Sequence, residues 1–219
     1  MSDDLFVRLL DLAVGLVLVC GFVAVWRRGL VAIVRAVAVQ GFALAAVAVL
    51  LGLHEHHVEP VVVALLVAGL KGGVLPGVLL RVVRDGDDAR DAEPLVNVPA
   101  SLLAAAAFTL LAYVTTQPVV ALDPAPEASA IPIGFAVVLI GLFVLATRRR
   151  AVSQIVGFVL VDNGIALVAF LATSGVPLVV ELGVAFDVLL VVLVLQVLDA
   201  RMRTTLGPVD LDQMRELHD

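Results

Sequence analysis

The sequence contains a single cysteine, Cys20, and that residue lies within a long apolar run. With no second cysteine, the chain has no disulfide framework and no metal site built on several cysteines. Basic residues are also few, since 14 Lys and Arg residues stand against 20 Asp and Glu residues and give a net charge of −6. Nucleic-acid-binding domains present a basic surface to the phosphates. The charge balance therefore excludes that function class.

Polar segments long enough to fold as a water-soluble domain are missing as well. The two sizeable polar stretches, 81–97 and 206–219, are both too short for a catalytic domain. The chain has no Walker loop, dinucleotide fingerprint or nucleophile elbow. The cluster His54-Glu55-His56-His57 lacks ligand spacing fixed on rigid elements, so we interpret it as a solvated polar loop. The sequence predicts no active site, cofactor or metal in this chain.

Apolar side chains are what the chain has in excess. They make up 62% of the 219 residues, and the mean hydropathy is +1.12. A soluble domain is nearer ~45–50% apolar. A compact globule of this size still exposes roughly a quarter to a third of its unfolded surface, so it could not bury this many apolar groups. The composition therefore predicts an all-α integral membrane protein.

Seven stretches are long enough to cross a membrane, because a helix needs about 20 apolar residues to span the hydrocarbon core. These spans cover roughly 5–26, 30–53, 59–80, 98–121, 131–147, 151–174 and 177–200. The loop and tail arginines all follow odd-numbered spans: Arg27, Arg28, Arg81, Arg84, Arg90, Arg148, Arg149, Arg150, Arg201, Arg203 and Arg215. Cytoplasmic loops collect Lys and Arg. We therefore predict seven transmembrane helices, with the N-terminus outside and the C-terminus in the cytoplasm.

Four ionisable residues inside the spans are candidates for a proton relay. Lys71, Asp162 and Asp187 lie near the middle of spans three, six and seven, and Glu181 lies about two turns from the outer end of span seven. Spans six and seven form a tight hairpin, so Asp162 and Asp187 are expected at similar depth on neighbouring helices. Groups held away from water change their proton affinity readily. The residues alone leave two interpretations open: proton transfer, or polar contacts that only hold helices together.

Three glycines of span three, Gly69, Gly73 and Gly77, recur every four residues and predict a helix-packing face. Lys71 projects from nearly the opposite side of that helix. If the glycines pack on this chain's own helices, Lys71 points outward and needs a partner subunit to cover it. Pro76 follows two adjacent glycines, Gly72 and Gly73, and predicts a local irregularity beside the lysine.

The remaining charges inside the spans are shallower. Arg8 and Arg35 lie within about two turns of a helix end, where a long basic side chain reaches the interface. Asp11 lies one turn from Arg8, so we expect these two residues to pair locally.

The C-terminal region carries motifs that resemble a known family. These are the segment 148–158, RRRAVSQIVGF, followed by Asp162-Asn163-Gly164, and the segment 177–183, PLVVELG, followed by Phe186-Asp187-Val188-Leu189. Together they resemble the E subunit of hydrogenase-4 and of related formate hydrogenlyase complexes. The same region is more distantly similar to the K subunit of bacterial complex I and to the C subunit of multisubunit cation/proton antiporters.

The resemblance implies a function and a division of the chain. It implies a four-helix N-terminal membrane region over 1–130, a three-helix region like the complex I K subunit over 131–205, and a cytoplasmic tail over 206–219. It assigns the two membrane carboxylates to Asp162 and Asp187, with Glu181 beside the second. It implies a multi-pass subunit of the cytoplasmic membrane of a bacterium or archaeon, an accessory subunit of an oxidoreductase complex.

The partners that follow from this resemblance are antiporter-like membrane subunits and a hydrogenase or complex I-like peripheral arm. Any [NiFe] centre and iron–sulfur clusters belong to those partner subunits. Two alternatives remain at this stage. The chain is a subunit of a multisubunit cation/proton antiporter without a redox arm, or it is a purely structural membrane scaffold.

Overall fold

The structure, a computed structural model, describes residues 3–55, 59–85, 96–122, 125–148 and 151–173. Within these ranges the backbone is helical or in short turns, and no extended β-strand occurs. The helical elements are α1 Asp3–Trp26, α2 Leu30–Glu55, α3 Glu59–Val67, a π-helical segment Ala68–Val74, α4 Leu75–Asp85, α5 Val98–Val120, a 3₁₀ turn Pro126–Ala130, α6 Ile131–Thr147 and α7 Ala151–Thr173. Because α3, the π-helical segment and α4 are continuous, they form one long helix.

Six helices in the described ranges are long and apolar enough to cross a membrane. They are Asp3–Trp26, Leu30–His54, Val61–Arg81, Val98–Val120, Pro126–Thr147 and Val152–Ala172. The first six predicted spans are therefore confirmed as helices of membrane length. The predicted seventh span, 177–200, lies outside the described residues.

The outer surface of these helices is apolar, as a lipid environment requires. Leu103 and Leu110 of α5 and Leu65 of α3 are 72%, 67% and 71% exposed. Contiguous apolar surface of this kind is rare on soluble monomers. The chain is a multi-pass membrane protein whose outward leucines replace the polar surface of a soluble fold.

The second helix is the centre of the described fold, since α2 packs on α1, α3, the π-helical segment, α4 and α7. Two apolar clusters fill the space between the helices. One cluster contains Ala43, Val67 and Leu167, and the other contains Val37, Leu75 and Leu160. On α2, on the third long helix and on α7, buried polar side chains lie between the residue of the first cluster and the residue of the second. A polar layer therefore lies between the two clusters.

Four glycines bring α6 and α7 into backbone contact. A Cβ added at Gly134 would lie 3.2 Å from the Gly164 carbonyl oxygen, and one at Gly141 would lie 2.9 Å from the Gly157 carbonyl oxygen. Gly134 and Gly141 are seven residues apart, as are Gly157 and Gly164, so the two antiparallel helices meet glycine to glycine twice. Small residues allow this close approach between membrane helices. The contact fixes the position of α7 and of the polar residues it carries.

The glycines predicted to form a packing face on the third long helix lie elsewhere. A Cβ at Gly69 or Gly77 would meet no described atom within 4 Å, and one at Gly73 would meet only the Ala68 carbonyl oxygen at 3.8 Å. A side chain at these glycines would have open space around it among the described residues, so their role in packing stays a prediction. The irregularity predicted beside them is present as the π-helical segment Ala68–Val74.

Contacts at the helix ends show which ends share a membrane side. The Phe6 ring of α1 stacks on the His54 ring of α2, with centroids 4.1 Å apart. At the opposite end of α1, the buried Arg148 guanidinium donates to the Val25 carbonyl oxygen at 3.2 Å. Basic side chains stabilise helix C-termini in this way. The α1 and α6 helices therefore end on the same side, as the arginine pattern predicts.

Candidate functional site: a buried polar layer

A buried ion pair is the main feature of the polar layer. Lys71 Nζ lies 2.6 Å from Asp162 Oδ2, and the two residues are 3% and 5% exposed. The pair joins the π-helical segment to α7, which are far apart in sequence. At this separation the ammonium donates a charge-assisted hydrogen bond to the carboxylate.

Both members of the pair lie at the centre of membrane-length helices. Lys71 is the middle residue of Val61–Arg81, and Asp162 is the middle residue of Val152–Ala172. With a rise of about 1.5 Å per residue, each lies about 15 Å from either end of its helix. The two charges are therefore as far from water on either side as the helices allow.

The local backbone explains how a lysine in an apolar helix reaches the interior. In the π-helical segment the Leu75 amide donates to the Leu70 carbonyl oxygen, five residues back instead of four. Insertions of this kind are frequent at functional sites because they redirect side chains. Glycines allow the irregular turn to lie against α2: a Cβ at Gly41 would be 2.5 Å from the Lys71 carbonyl carbon, and one at Gly72 would be 2.8 Å from the Phe42 ring.

A chain of amides lies beside the ion pair. Asn163 follows Asp162 on α7, and its Nδ2 donates to Gln40 Oε1 of α2 at 2.8 Å. Gln40 Nε2 in turn donates to the Val17 carbonyl oxygen of α1 at 2.9 Å. Both amide side chains are fully buried. The polar layer thus connects α1, α2, α7 and the π-helical segment.

One polar atom of this layer has no hydrogen bond among the described residues. Asn163 Oδ1 is buried and accepts none from them. Leaving a buried acceptor unpaired costs about 1–3 kcal/mol. Buried polar groups are otherwise nearly always bonded, so an exception at a membrane centre indicates a place where hydrogen bonding can change.

The arrangement supports one simple chemical event. A proton that passes from the Lys71 ammonium to the Asp162 carboxylate turns the ion pair into a neutral amine and a neutral acid. A proton that reaches Asp162 from elsewhere would instead neutralise the carboxylate and remove its attraction for the ammonium. Either change alters the local field strongly, because charges interact more strongly in a low dielectric than in water.

The condition attached to Lys71 in the sequence analysis is not met. An outward Lys71 is expected only if the span-three glycines pack on this chain, and a Cβ at Gly69 or Gly77 would meet no described atom within 4 Å. Lys71 instead points inward, where it pairs with Asp162 of the same chain. Glu181 and Asp187, the other two relay candidates, lie outside the described residues, so their part in the relay stays a prediction.

Sequence reasoning missed Gln40, Gly41 and Asn163. Signals for them were present: Gln40 is the only amide side chain in the second span, and Asn163 directly follows the candidate carboxylate. The seven-residue glycine spacing in α6 and α7 was a further signal. This seven-residue spacing is a clearer signal of the contact between α6 and α7 than the four-residue spacing is of any contact made by the third span.

A correction concerns the charges near the start of α1. Arg8 pairs with Asp4, with its guanidinium nitrogen 3.0 Å from a carboxylate oxygen, and both side chains are exposed. The expected Arg8–Asp11 pair is therefore wrong. Asp11 is exposed and forms no ion pair or hydrogen bond in the described part of the chain. In those same ranges no three His, Cys, Asp or Glu residues cluster as a metal site would require.

Comparison with known proteins gives two kinds of relative. The chain is 49% identical over 220 residues to the uncharacterized protein Rv0085 of Mycobacterium tuberculosis, and the alignment covers all of both chains. It is also 32% identical over 117 residues to hydrogenase-4 component E of Escherichia coli, an alignment that covers 53% of this chain and 54% of that protein. Component E of Shigella flexneri aligns equally well.

Two further comparisons give no relative. No family model matches the chain, and no solved structure matches it.

Proposed function

Since this chain belongs to the family of the Mycobacterium tuberculosis protein Rv0085, and half of it is similar to hydrogenase-4 component E, we propose a role for the family in a respiratory membrane complex. The chain is a non-catalytic membrane-arm subunit of a group 4 [NiFe]-hydrogenase-type or hydrogenase-related complex. It links complex I-like antiporter subunits to a peripheral redox arm and takes part in proton transfer. The redox centres belong to its partners.

The observation that carries this proposal is the buried Lys71–Asp162 pair at the centre of two membrane helices. Ionisable groups at this depth are costly and usually mark ion or proton pathways. A well-packed apolar pair would stabilise the helices at least as well as an ion pair, so stability alone gives a weak reason for these residues. Proton exchange gives a direct reason for an ion pair at this depth.

The proposed path begins at this pair. At rest the Lys71 ammonium pairs with the Asp162 carboxylate, and an arriving proton neutralises that carboxylate and weakens the pair. The proton then moves from Asp162 to Asp187 on the proposed seventh transmembrane helix, and Glu181 continues the path toward the outer side. In this scheme the N-terminus lies outside and the C-terminus in the cytoplasm.

A structural scaffold is the second candidate, and a specific observation favours it. The ion pair and the Asn163–Gln40–Val17 hydrogen bonds tie α7 to α2, α1 and the π-helical segment. Polar contacts of this kind hold membrane helices together without moving protons. The two candidates predict different results for the same variants.

The partner set is tested by purification of the tagged subunit in mild detergent from its native membrane. Iron–sulfur and nickel-hydrogenase-like or complex I-like subunits that co-purify support the proposal. Antiporter subunits without any redox subunit would instead identify an antiporter component. Recovery of the chain alone would contradict both complexes.

Proton transfer is tested with Asp162→Asn and Asp187→Asn, with Asp162→Glu as the matched control that keeps the carboxylate. We expect the asparagine variants to assemble, because asparagine has nearly the size of aspartate and its amide oxygen can still accept hydrogen bonds, and to lose coupled proton movement in sealed vesicles. The Asp162→Glu variant should retain a measurable part of that movement. Normal proton movement in both assembled asparagine variants would contradict the relay, whereas loss of assembly as the first defect would support the scaffold.

A further inference from the structure

One outward face of α1 combines a charge, a glycine and an open apolar groove. Its residues recur every three or four positions: Arg8, Asp11, Gly15, Val19, Phe22 and Trp26. We call this face the α1 seam. A spacing of three or four residues keeps side chains on one helix face, along which a second helix can pack. The buried residues of α1, such as Phe6, Val14 and Val17, lie on the other side of the helix.

The charge on the seam, Asp11, lies inside the membrane. It is eight residues after the first residue of the 24-residue helix Asp3–Trp26. That places it about 12 Å along a helix about 36 Å long, or about 9 Å inside a hydrocarbon core of about 30 Å centred on the helix. A short carboxylate has no long stem with which to reach the interface, unlike lysine or arginine. Asp11 therefore needs a polar neighbour at its own depth.

The described part of the chain does not provide that neighbour. Arg8, the nearest basic residue on the helix, is bonded to Asp4. A lipid tail offers no hydrogen-bond donor. A second copy of this chain, packed in parallel on the same seam, would bring one Asp11 towards the other at equal depth, and like charges repel. The chain's own predicted seventh span, 177–200, contains no Lys or Arg. The charge therefore fits a different protein that carries a basic side chain.

The rest of the seam has room for a helix. A Cβ at Gly15 would meet nothing within 4 Å, so a neighbouring backbone has space to approach one turn from Asp11. Further along, a groove of about 520 Å³ opens between α1 and α5, lined by Val19, Phe22 and Trp26 of the seam and by Leu102 of α5. Val19 and Trp26 are more than half exposed.

We infer that the α1 seam is the docking surface for a transmembrane helix of a partner subunit. That partner helix packs over Gly15, fills the groove beside α5, and carries a lysine, arginine or other strong donor at the depth of Asp11. The inference rests on the membrane-complex part of the proposed function and does not depend on proton transfer.

The first test uses a photo-cross-linking amino acid at Val19 in the assembled, detergent-purified complex. Leu9, an exposed residue on a different side of α1, serves as the matched control position. We expect a several-fold higher yield of a protein adduct from Val19, mapped by mass spectrometry to a transmembrane peptide with a basic residue. Adducts with lipid alone, with a second copy of this chain, with the chain's own segment 177–200, or equally from both positions would overturn the inference.

The second test exchanges charges. Asp11→Lys is expected to remove the cross-linked partner from the purified complex, and an acidic substitution of the partner's basic residue is expected to restore it. Gly15→Leu provides a second variant that blocks the seam by size instead of charge. Thermal unfolding of the isolated subunit checks that both variants fold.

The outcomes separate this inference from the proposed function. If the complex keeps all its subunits in both variants, the seam is not the docking surface, while the membrane-complex proposal stands. If partner binding is lost in the variants and restored by the charge exchange, the inference holds whatever happens to proton transfer in Asp162→Asn.

Discussion

The polar layer and the start of α1 each contain an ion pair, and their surroundings are opposite. The side chains of Lys71 and Asp162 are 4% and 6% exposed, whereas those of Arg8 and Asp4 are 75% and 77% exposed. The first pair joins two distant helices, and the second joins neighbouring turns of one helix. Similar chemical groups thus perform different tasks: the buried pair defines how helices meet, and the exposed pair neutralises a helix end.

The glycines of the two regions differ in the same way. Gly164 lies against the backbone of α6, where an added Cβ would be 2.7 Å from the Val138 amide nitrogen, while Gly15 of the α1 seam meets nothing within 4 Å. Within the described ranges, close packing and buried charge occur together around α7. The outer face of α1 has neither and is available for contact with another protein.

The largest effect is expected from breaking the buried pair on one side. Asp162→Leu removes the buried carboxylate that lies 2.6 Å from the Lys71 ammonium, which should destabilise the isolated subunit by about 3–5 kcal/mol. The double variant Lys71→Met/Asp162→Leu removes both charges and should recover most of that loss. Unfolding titrations in mixed micelles measure both. A single variant as stable as the double variant would show that the pair is not buried as described.

A smaller effect is expected from filling the glycine contacts. Gly164→Leu forces α6 and α7 apart and should destabilise the subunit by about 1–3 kcal/mol or more. Gly15→Leu, the same change on an open surface, should stay within about 0.5 kcal/mol of the unchanged protein. Thermal unfolding of both variants in one detergent gives the comparison. Equal losses of stability in the two variants would mean that α6 and α7 pack less closely than the structure shows.

The smallest effect is expected at the exposed pair. Arg8→Ala removes a salt bridge between two well-exposed side chains, a change worth about 0–1 kcal/mol. The same unfolding titration compares the stability of Arg8→Ala with that of Asp162→Leu. A loss as large as that of Asp162→Leu would remove the distinction between the two regions.

Much of the fold follows from the sequence because lipid imposes a simple length rule. The predicted spans 131–147 and 151–174 agree within one residue with α6 Ile131–Thr147 and α7 Ala151–Thr173. In a bilayer, a run of apolar residues between arginines has few alternatives to forming a helix. The positions of the helices can therefore be predicted from a single sequence.

Helix contacts were harder to predict. The depth of Lys71 and Asp162 was clear from residue counting, but their pairing was not, since depth does not say which way a side chain faces. Residue counting does not predict the π-helical segment around Lys71 either. Similarly, glycine spacing alone does not tell that Gly134 and Gly164 meet, while a Cβ at Gly69 or Gly77 would meet no described atom within 4 Å. Those facts depend on how several helices pack at once.

We propose that the Lys71–Asp162 pair moves protons and does more than hold helices together. Coupled proton movement by the assembled complex that contains Lys71→Met/Asp162→Leu tests this proposal, with Asp4→Ala/Arg8→Ala as the control that removes the exposed pair. We expect both variants to assemble, the exposed-pair control to move protons normally, and the buried-pair variant to lose proton movement. Normal proton movement by the assembled buried-pair variant would show that the pair only holds helices together.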